Sequence, residues 1–160
     1  MAPVIVDTNL LLLLIVGSAG RNYIGMHKNL GDYDIGDFEL LGDAISLFSD
    51  IVLLPQVMAE VSSLARQIRN PARSRIQAVF RKLVETTMEI QTPSLSGTTR
   101  DEFDAFGLTD SVILHMCTMA QNGLGFGLLT ADNRLAIQAE MLGYSVLNFQ
   151  HLRSISAESD

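Results

Sequence analysis

The sequence predicts an α/β protein in which a parallel β-sheet is sandwiched by helices, a three-layer α/β/α arrangement. Three observations carry this expectation. Short apolar runs at Val4–Val6, Ile51–Leu54 and Phe126–Thr130 show no polar face, as strands buried on both sides do. Stretches of helical periodicity separate them, and strands alternating with helices imply a parallel sheet. Acids, Asp7 and Asp132, stand at the ends of two of the runs, where ligands bind in open α/β sheets.

The 160 residues suit one domain with a substantial core, expected over 1–150 and followed by a loose polar tail over 151–160. A composition of 48% hydrophobic and 18% charged residues describes a globular chain. The net charge of −7 argues against broad attraction to nucleic acid or acidic membrane, though a local basic face is compatible with it. Cys117 is the only cysteine, so an intrachain disulfide is impossible and a reducing, cytoplasmic setting is expected. Leu10–Val16 followed by Gly17-Ser18-Ala19 imitates a secretory signal, but no Lys or Arg precedes it and Asp7 lies where a basic region belongs. The run is also far short of the roughly 20 residues of a membrane span. It reads as a core helix, and no membrane partner is expected.

Each element has its own reason. After Val4–Val6, Asp7 or Thr8 can cap a helix starting near Asn9. Gly17 to Gly36 breaks the pattern with five glycines, as a long functional loop or a plain surface excursion would. Asp37 reads as the N-cap of a helix carrying Phe38, Leu41, Ile45 and Phe48 on one face. Ile51–Leu54 is a strand ended by Pro55, which opens a helix with a Val57, Val61, Leu64, Ile68 stripe. Glu60 flanks that stripe, so its carboxylate can reach a cleft or sit as a solvated edge.

Arg66, Arg69, Arg73, Arg75, Arg81 and Lys82 cluster around the break Asn70-Pro71, either as a phosphate-contacting face or as an ordinary solvated surface. Met88–Ile90 reads as a short strand or a helix end, Thr92–Thr99 as a loop, and Asp101–Gly107 as a helical turn. Thr109 reads as the N-cap of a helix running to about Asn122. Ser111, His115, Thr118 and Asn122 form its polar stripe, on which His115 is expected to be exposed. Asp110 lies off that stripe, in a row with Leu114 and Cys117. A role as helix-dipole partner explains its place along the helix but not its face. Asp132 can cap a helix from Asn133 to Leu142 that stops at Gly143, and Tyr144–Phe149 is the last strand.

Asp7 and Asp132 at strand tips, with Glu60 and Asp110 on helices, make a set of converging carboxylates. Such groups repel unless a cation compensates them. Oxygen-only ligation favours Mg²⁺ or Mn²⁺, which suits phosphodiester hydrolysis, where an ion activates water and stabilises charge on the phosphate.

Four segments then resemble the PIN-domain ribonucleases, particularly their bacterial toxin-like branch: Val4-Ile5-Val6-Asp7-Thr8-Asn9; Leu54-Pro55-Gln56-Val57-Met58-Ala59-Glu60-Val61; Leu108-Thr109-Asp110-Ser111-Val112-Ile113-Leu114; and Leu129-Thr130-Ala131-Asp132-Asn133-Arg134-Leu135. The resemblance covers nearly the whole chain. It implies a Mg²⁺- or Mn²⁺-dependent endoribonuclease that cuts single-stranded RNA and leaves a 5′-phosphate and a 3′-hydroxyl. Asp7, Glu60, Asp110 and Asp132 would form the catalytic and metal-binding quartet, with Asp7 and Asp132 on the main ion. Thr8, Asn9 and Thr130 would support them, and Arg66, Arg69, Arg73 and Arg75 would contact substrate. Expected partners are single-stranded RNA, an antitoxin protein if the chain is the toxin of such a pair, and a second copy of the chain as a homodimer. The 17–36 stretch departs from the short connection of compact toxins, which leaves the subfamily, and so the antitoxin, open. Two rival readings are a PIN-like protein-interaction module without nuclease activity and a phosphoacceptor receiver domain. The latter needs a strand-tip lysine, and the only lysines are Lys28 and Lys82.

Overall fold

The computed structural model describes residues 2–119 and 125–159. Four short strands, β1 (Val4–Val6), β2 (Ile51–Val52), β3 (Gly127–Thr130) and β4 (Val146–Asn148), form one all-parallel sheet in the order β2-β1-β3-β4. Among the described residues nine α-helices flank it, so the expected fold class holds. β1 and β3 are central. The chain leaves β1 toward β2 on one side and β3 toward β4 on the other, so a crevice opens between the carboxyl ends of the central pair.

Helix α1 (Thr8–Ala19) is apolar all round, and Leu10–Leu13, Ile15 and Val16 are buried. Such a helix belongs inside the domain. It packs against α2 (Ile35–Ile45), α3 (Pro55–Ala65) and α4 (Ala72–Thr86). A side chain at Gly17 would strike the Phe38 ring at 2.3 Å, which fixes how closely α1 and α2 approach.

The 17–36 stretch is not a plain surface excursion. α1 continues to Ala19, two single 3₁₀ turns follow at Arg21–Tyr23 and Lys28–Leu30, and Tyr23, Ile24, His27 and Leu30 are buried. Its apolar residues are spaced irregularly, so the packing has no periodic signature in sequence. The N-cap of α2 is Asp34, not Asp37. Asp34 accepts from the Asp37 N–H while Asp37 accepts from the Asp34 N–H, each at 2.9 Å, a reciprocal box that puts Asp37 at the third helical position. Phe48 and Ile68 lie beyond the ends of their expected helices.

Strand β2 is shorter than the run Ile51–Leu54, but Leu53 pairs with Glu89 in a single parallel bridge, so the segment at Met88–Ile90 extends the sheet edge. Thr92–Thr99 contains a short helix, α5 (Ser94–Thr98), whose Gly97 carbonyl accepts from the Ser111 hydroxyl at 2.6 Å. Two further helices, α6 (Phe103–Phe106) and α7 (Leu108–Met119), are separated by Gly107 at φ +85°, a conformation that favours glycine. Gly107 accepts from Ser111 N–H and thereby opens α7, which displaces Thr109 from its expected cap role.

The polar stripe of α7 is not a solvated face. Ser111 is buried, His115 is half-buried, and Thr118 meets Tyr144 and accepts from Arg100, while the stripe's last member, Asn122, lies outside the described residues. Helix α8 (Asn133–Met141) ends before Gly143, at φ +83°.

The polar tail is a helix, α9 (Phe149–Glu158), so a boundary at 150 cuts through it. Asn148 caps it, Phe149 is fully buried, and Arg153 Nε donates to Asp37 at 3.0 Å with its guanidinium 5.1 Å from the Tyr33 ring. Its apolar side is too narrow to stand out in a polar sequence. No helix among the described residues is long and apolar enough to cross a membrane.

Candidate functional site

The crevice at the carboxyl ends of β1 and β3 brings together the four acids singled out in the sequence. Asp7 follows β1 and is only 7% exposed. Its Oδ1 accepts from Asn9 N–H at 3.1 Å, so it does cap α1. Its Oδ2 accepts a short hydrogen bond from the Thr130 hydroxyl. The cap and the buried strand-tip acid are thus one residue, with one oxygen for each role. Burial pushes the Asp7 carboxyl above its ordinary range, and the Thr130 and Asn9 bonds oppose that shift.

Thr130 also accepts from the Asp132 backbone N–H at 3.0 Å, which links the two strand-tip acids through a single hydroxyl. Asp132 caps α8 through Oδ1, which accepts from Arg134 N–H at 2.9 Å and from Leu135 N–H at 3.2 Å. Among the described residues nothing donates to its Oδ2.

Glu60, in the second turn of α3, is exposed but held from two elements. Its Oε2 accepts from Thr8 at 2.9 Å and its Oε1 from Thr109 at 2.6 Å. Asp110, in the first turn of α7, has no hydrogen-bond donor among the described residues. Desolvation, then the charges of Asp7, Asp132 and Glu60, push its carboxyl up to about 7, while Arg134 acts in the opposite direction. The charges of all three other acids therefore reach it. As they stand, no three Asp, Glu, His or Cys side chains among the described residues converge closely enough to hold a metal ion. Asp7 is turned into Thr130 and Glu60 into its two threonines.

The supporting residues divide their work differently from the expectation. Thr130 serves Asp7, Thr8 serves Glu60, and Asn9 contributes its backbone N–H while its side chain makes no hydrogen bond among the described residues. Arg66, Arg69, Arg73 and Arg75 are exposed around the α3–α4 elbow. Arg73 Nε donates to the Ile68 carbonyl at 2.8 Å, and Arg75 donates to Tyr23 Oη at 2.7 Å. Tyr23 follows the far end of α1, a helix about 18 Å long that starts beside Asp7. Among the described residues no ion pair joins any of the four arginines to the acids.

Two residues at the site had no role in the sequence reading. Thr109 was read as a cap, and only the Gly107 break shows that its hydroxyl is available to Glu60. Arg134 stands two residues after a strand-tip acid, a signal that was present but carried no direction for the side chain. Cys117 is buried with its thiol pushed up to about 12, so it is protonated at neutral pH.

Compared with known proteins, the chain matches no protein-family model and no curated protein.

Proposed function

We propose that the chain is a PIN-type endoribonuclease, dependent on Mg²⁺ or Mn²⁺, that hydrolyses phosphodiester bonds of single-stranded RNA. The observation that carries the reading is Asp110. A half-buried carboxylate with no donor among the described residues, pressed by three other carboxylates at the switch point of a parallel sheet, is costly unless a cation enters. The donors are all hard oxygens, which fits Mg²⁺ or Mn²⁺. Neither lysine follows a strand, since Lys28 lies in a 3₁₀ turn and Lys82 in α4, and this weighs against receiver chemistry.

Asp7 and Asp132 would hold the ion, linked by the Thr130 hydroxyl, which keeps Asp7 oriented and favours its charged form. Glu60, fixed by hydroxyls from α1 and α7, and Asp110 would complete the oxygen shell or orient the attacking water. When bound, such an ion activates water and stabilises charge on the phosphate and the leaving oxygen.

The test is cleavage of single-stranded RNA by the purified protein in Mg²⁺ or Mn²⁺ and in EDTA, alongside Asp7→Asn. Cleavage should require the ion, and the variant should lose orders of magnitude in rate. Equal activity in EDTA or in Asp7→Asn removes the metal mechanism. RNA binding or protein capture with no cleavage under any condition supports the interaction-module reading instead.

A further inference from the structure

Arg134 occupies an unusual position for a basic side chain near an acidic crevice, two residues after Asp132. Its charge reaches Asp110. Yet it forms no ion pair among the described residues, and it is exposed. Two groups without net charge hold it instead. Its Nη1 donates to the Ala105 carbonyl at 3.2 Å, and its guanidinium carbon lies 4.5 Å from the centroid of the Phe106 ring. Both contacts come from α6, across the cleft mouth from α8, while its own backbone N–H is fixed on Asp132. The side chain is therefore oriented at both ends.

A cation present only to offset the acids would be expected to pair with one of them, because a charge-assisted hydrogen bond is about twice as strong as a neutral one. Holding the guanidinium by a carbonyl and a ring face orients it without using its charge. Of its five N–H donors one is on Ala105, and the fork that remains matches the non-bridging oxygens of a phosphodiester. The need for such a group follows from the charge of the chain, −7 overall, and from the four acids set around this crevice. An anionic strand approaching them is repelled unless a local cation receives it.

We infer that Arg134, steadied by Ala105 and Phe106, is the residue that grips a phosphate of the single-stranded RNA beside the acidic site. This rests on the nuclease reading and adds to it the point where the strand is held. The Arg134 contact is made in substrate binding itself, so it acts with or without a divalent ion. The competing account is a structural clamp between α6 and α8, which would affect folding but not phosphate binding.

The experiment compares wild type, Arg134→Gln and Arg134→Lys. Binding of a short labelled single-stranded RNA is followed in EDTA by fluorescence anisotropy between about 50 and 200 mM KCl. Cleavage in Mg²⁺ and thermal melts are measured on the same proteins. Arg134→Gln should bind more weakly, and the slope of log Kd against log salt should be shallower by about 0.7, the value for one phosphate contact on a single strand. Arg134→Lys should keep the slope but lose about tenfold or more in kcat/KM, because it keeps the charge and loses the fork.

An Arg134→Gln slope equal to wild type, with or without a lower melting temperature, overturns the inference in favour of the clamp. If Arg134→Gln fails to fold, Arg134→Lys decides, and a wild-type rate overturns it. Wild type that cleaves RNA while both variants behave like it sinks the Arg134 contact alone. Wild type that neither binds nor cleaves RNA sinks the nuclease reading as well.

Discussion

Thr130 and Asp110 carry the sharpest tests at the scale of single residues. The Thr130 hydroxyl is buried and serves two acids, donating to Asp7 and accepting from Asp132 N–H. Thr130→Val keeps the shape and removes both bonds, so it should destabilise the protein by about 1–3 kcal/mol. It should also push the Asp7 carboxyl still higher, because the Thr130 bond opposes the upward shift. Denaturant melts check the first expectation; unchanged stability would show that the hydroxyl is dispensable. Asp110 gives a pH dependence of determinate sign. Its carboxyl binds a proton more tightly folded, at about 7, than at its ordinary value of 3.8. The protonated form therefore contributes stability that is fully present below about pH 4 and is lost as the pH rises through about 7. Asp110→Asn should abolish that decline and exceed wild type in stability at pH 8 without metal. A variant slightly less stable than wild type at every pH, by roughly 0.3–1 kcal/mol, would reduce Asp110 to a helix-dipole partner.

Two expectations belong to helices. α9 is fastened to α2 by the Arg153–Asp37 pair, whose side chains are 29% and 13% exposed, and to the segment before α2 by the Asp32 carbonyl. Arg153→Ala should cost about 1 kcal/mol, lowering the melting temperature by about 2–4 °C in a chain of this size. No shift would return the segment to a loose tail. The α3–α4 elbow exposes Arg69 and Arg73, and Arg73 is held on the Ile68 carbonyl. Replacing both with Gln should weaken RNA binding and flatten its salt dependence, without changing the rate at saturating RNA, since among the described residues neither side chain pairs with the acids. An unchanged salt slope would identify the cluster as an ordinary solvated surface, and a slower rate at saturation would mean that the elbow reaches the site.

For the whole molecule, the proposed ion couples the site to folding. An ion that binds the folded crevice and not the unfolded chain should raise stability with concentration, by about 2.7 kcal/mol at a hundredfold excess over its Kd. Thermal melts in EDTA and in Mg²⁺ should show this for wild type. Asp110→Asn, with one repelling charge fewer and one ligand fewer, should start higher and gain less, so that the two proteins exchange rank. Parallel shifts without that exchange would remove Asp110 from the ion's shell.

The strands, the buried α1 and the strand-tip positions of Asp7 and Asp132 were legible in the sequence, because period and β-branched runs are local properties. Glycine at positive φ marked the stop of α8 for the same reason. Where the signal was a contact across the chain, sequence could offer only alternatives. The packed core of the 17–36 stretch and helix α9 depend on partners that no spacing names. The same holds at the site. Residue types nominated four acids, but the strand order β2-β1-β3-β4 is what opens the crevice around which their charges reach Asp110. Tertiary packing alone decided that Thr8 and Thr109 hold Glu60 and that Asp110 lacks a donor among the described residues. It also set the Arg134 guanidinium on Ala105 and Phe106, within electrostatic reach of Asp110. The physical reason is one of range. Secondary structure is encoded within a few residues, whereas the field and the hydrogen bonds felt by a carboxylate come from elements that the fold brings together from 49 to 123 positions away.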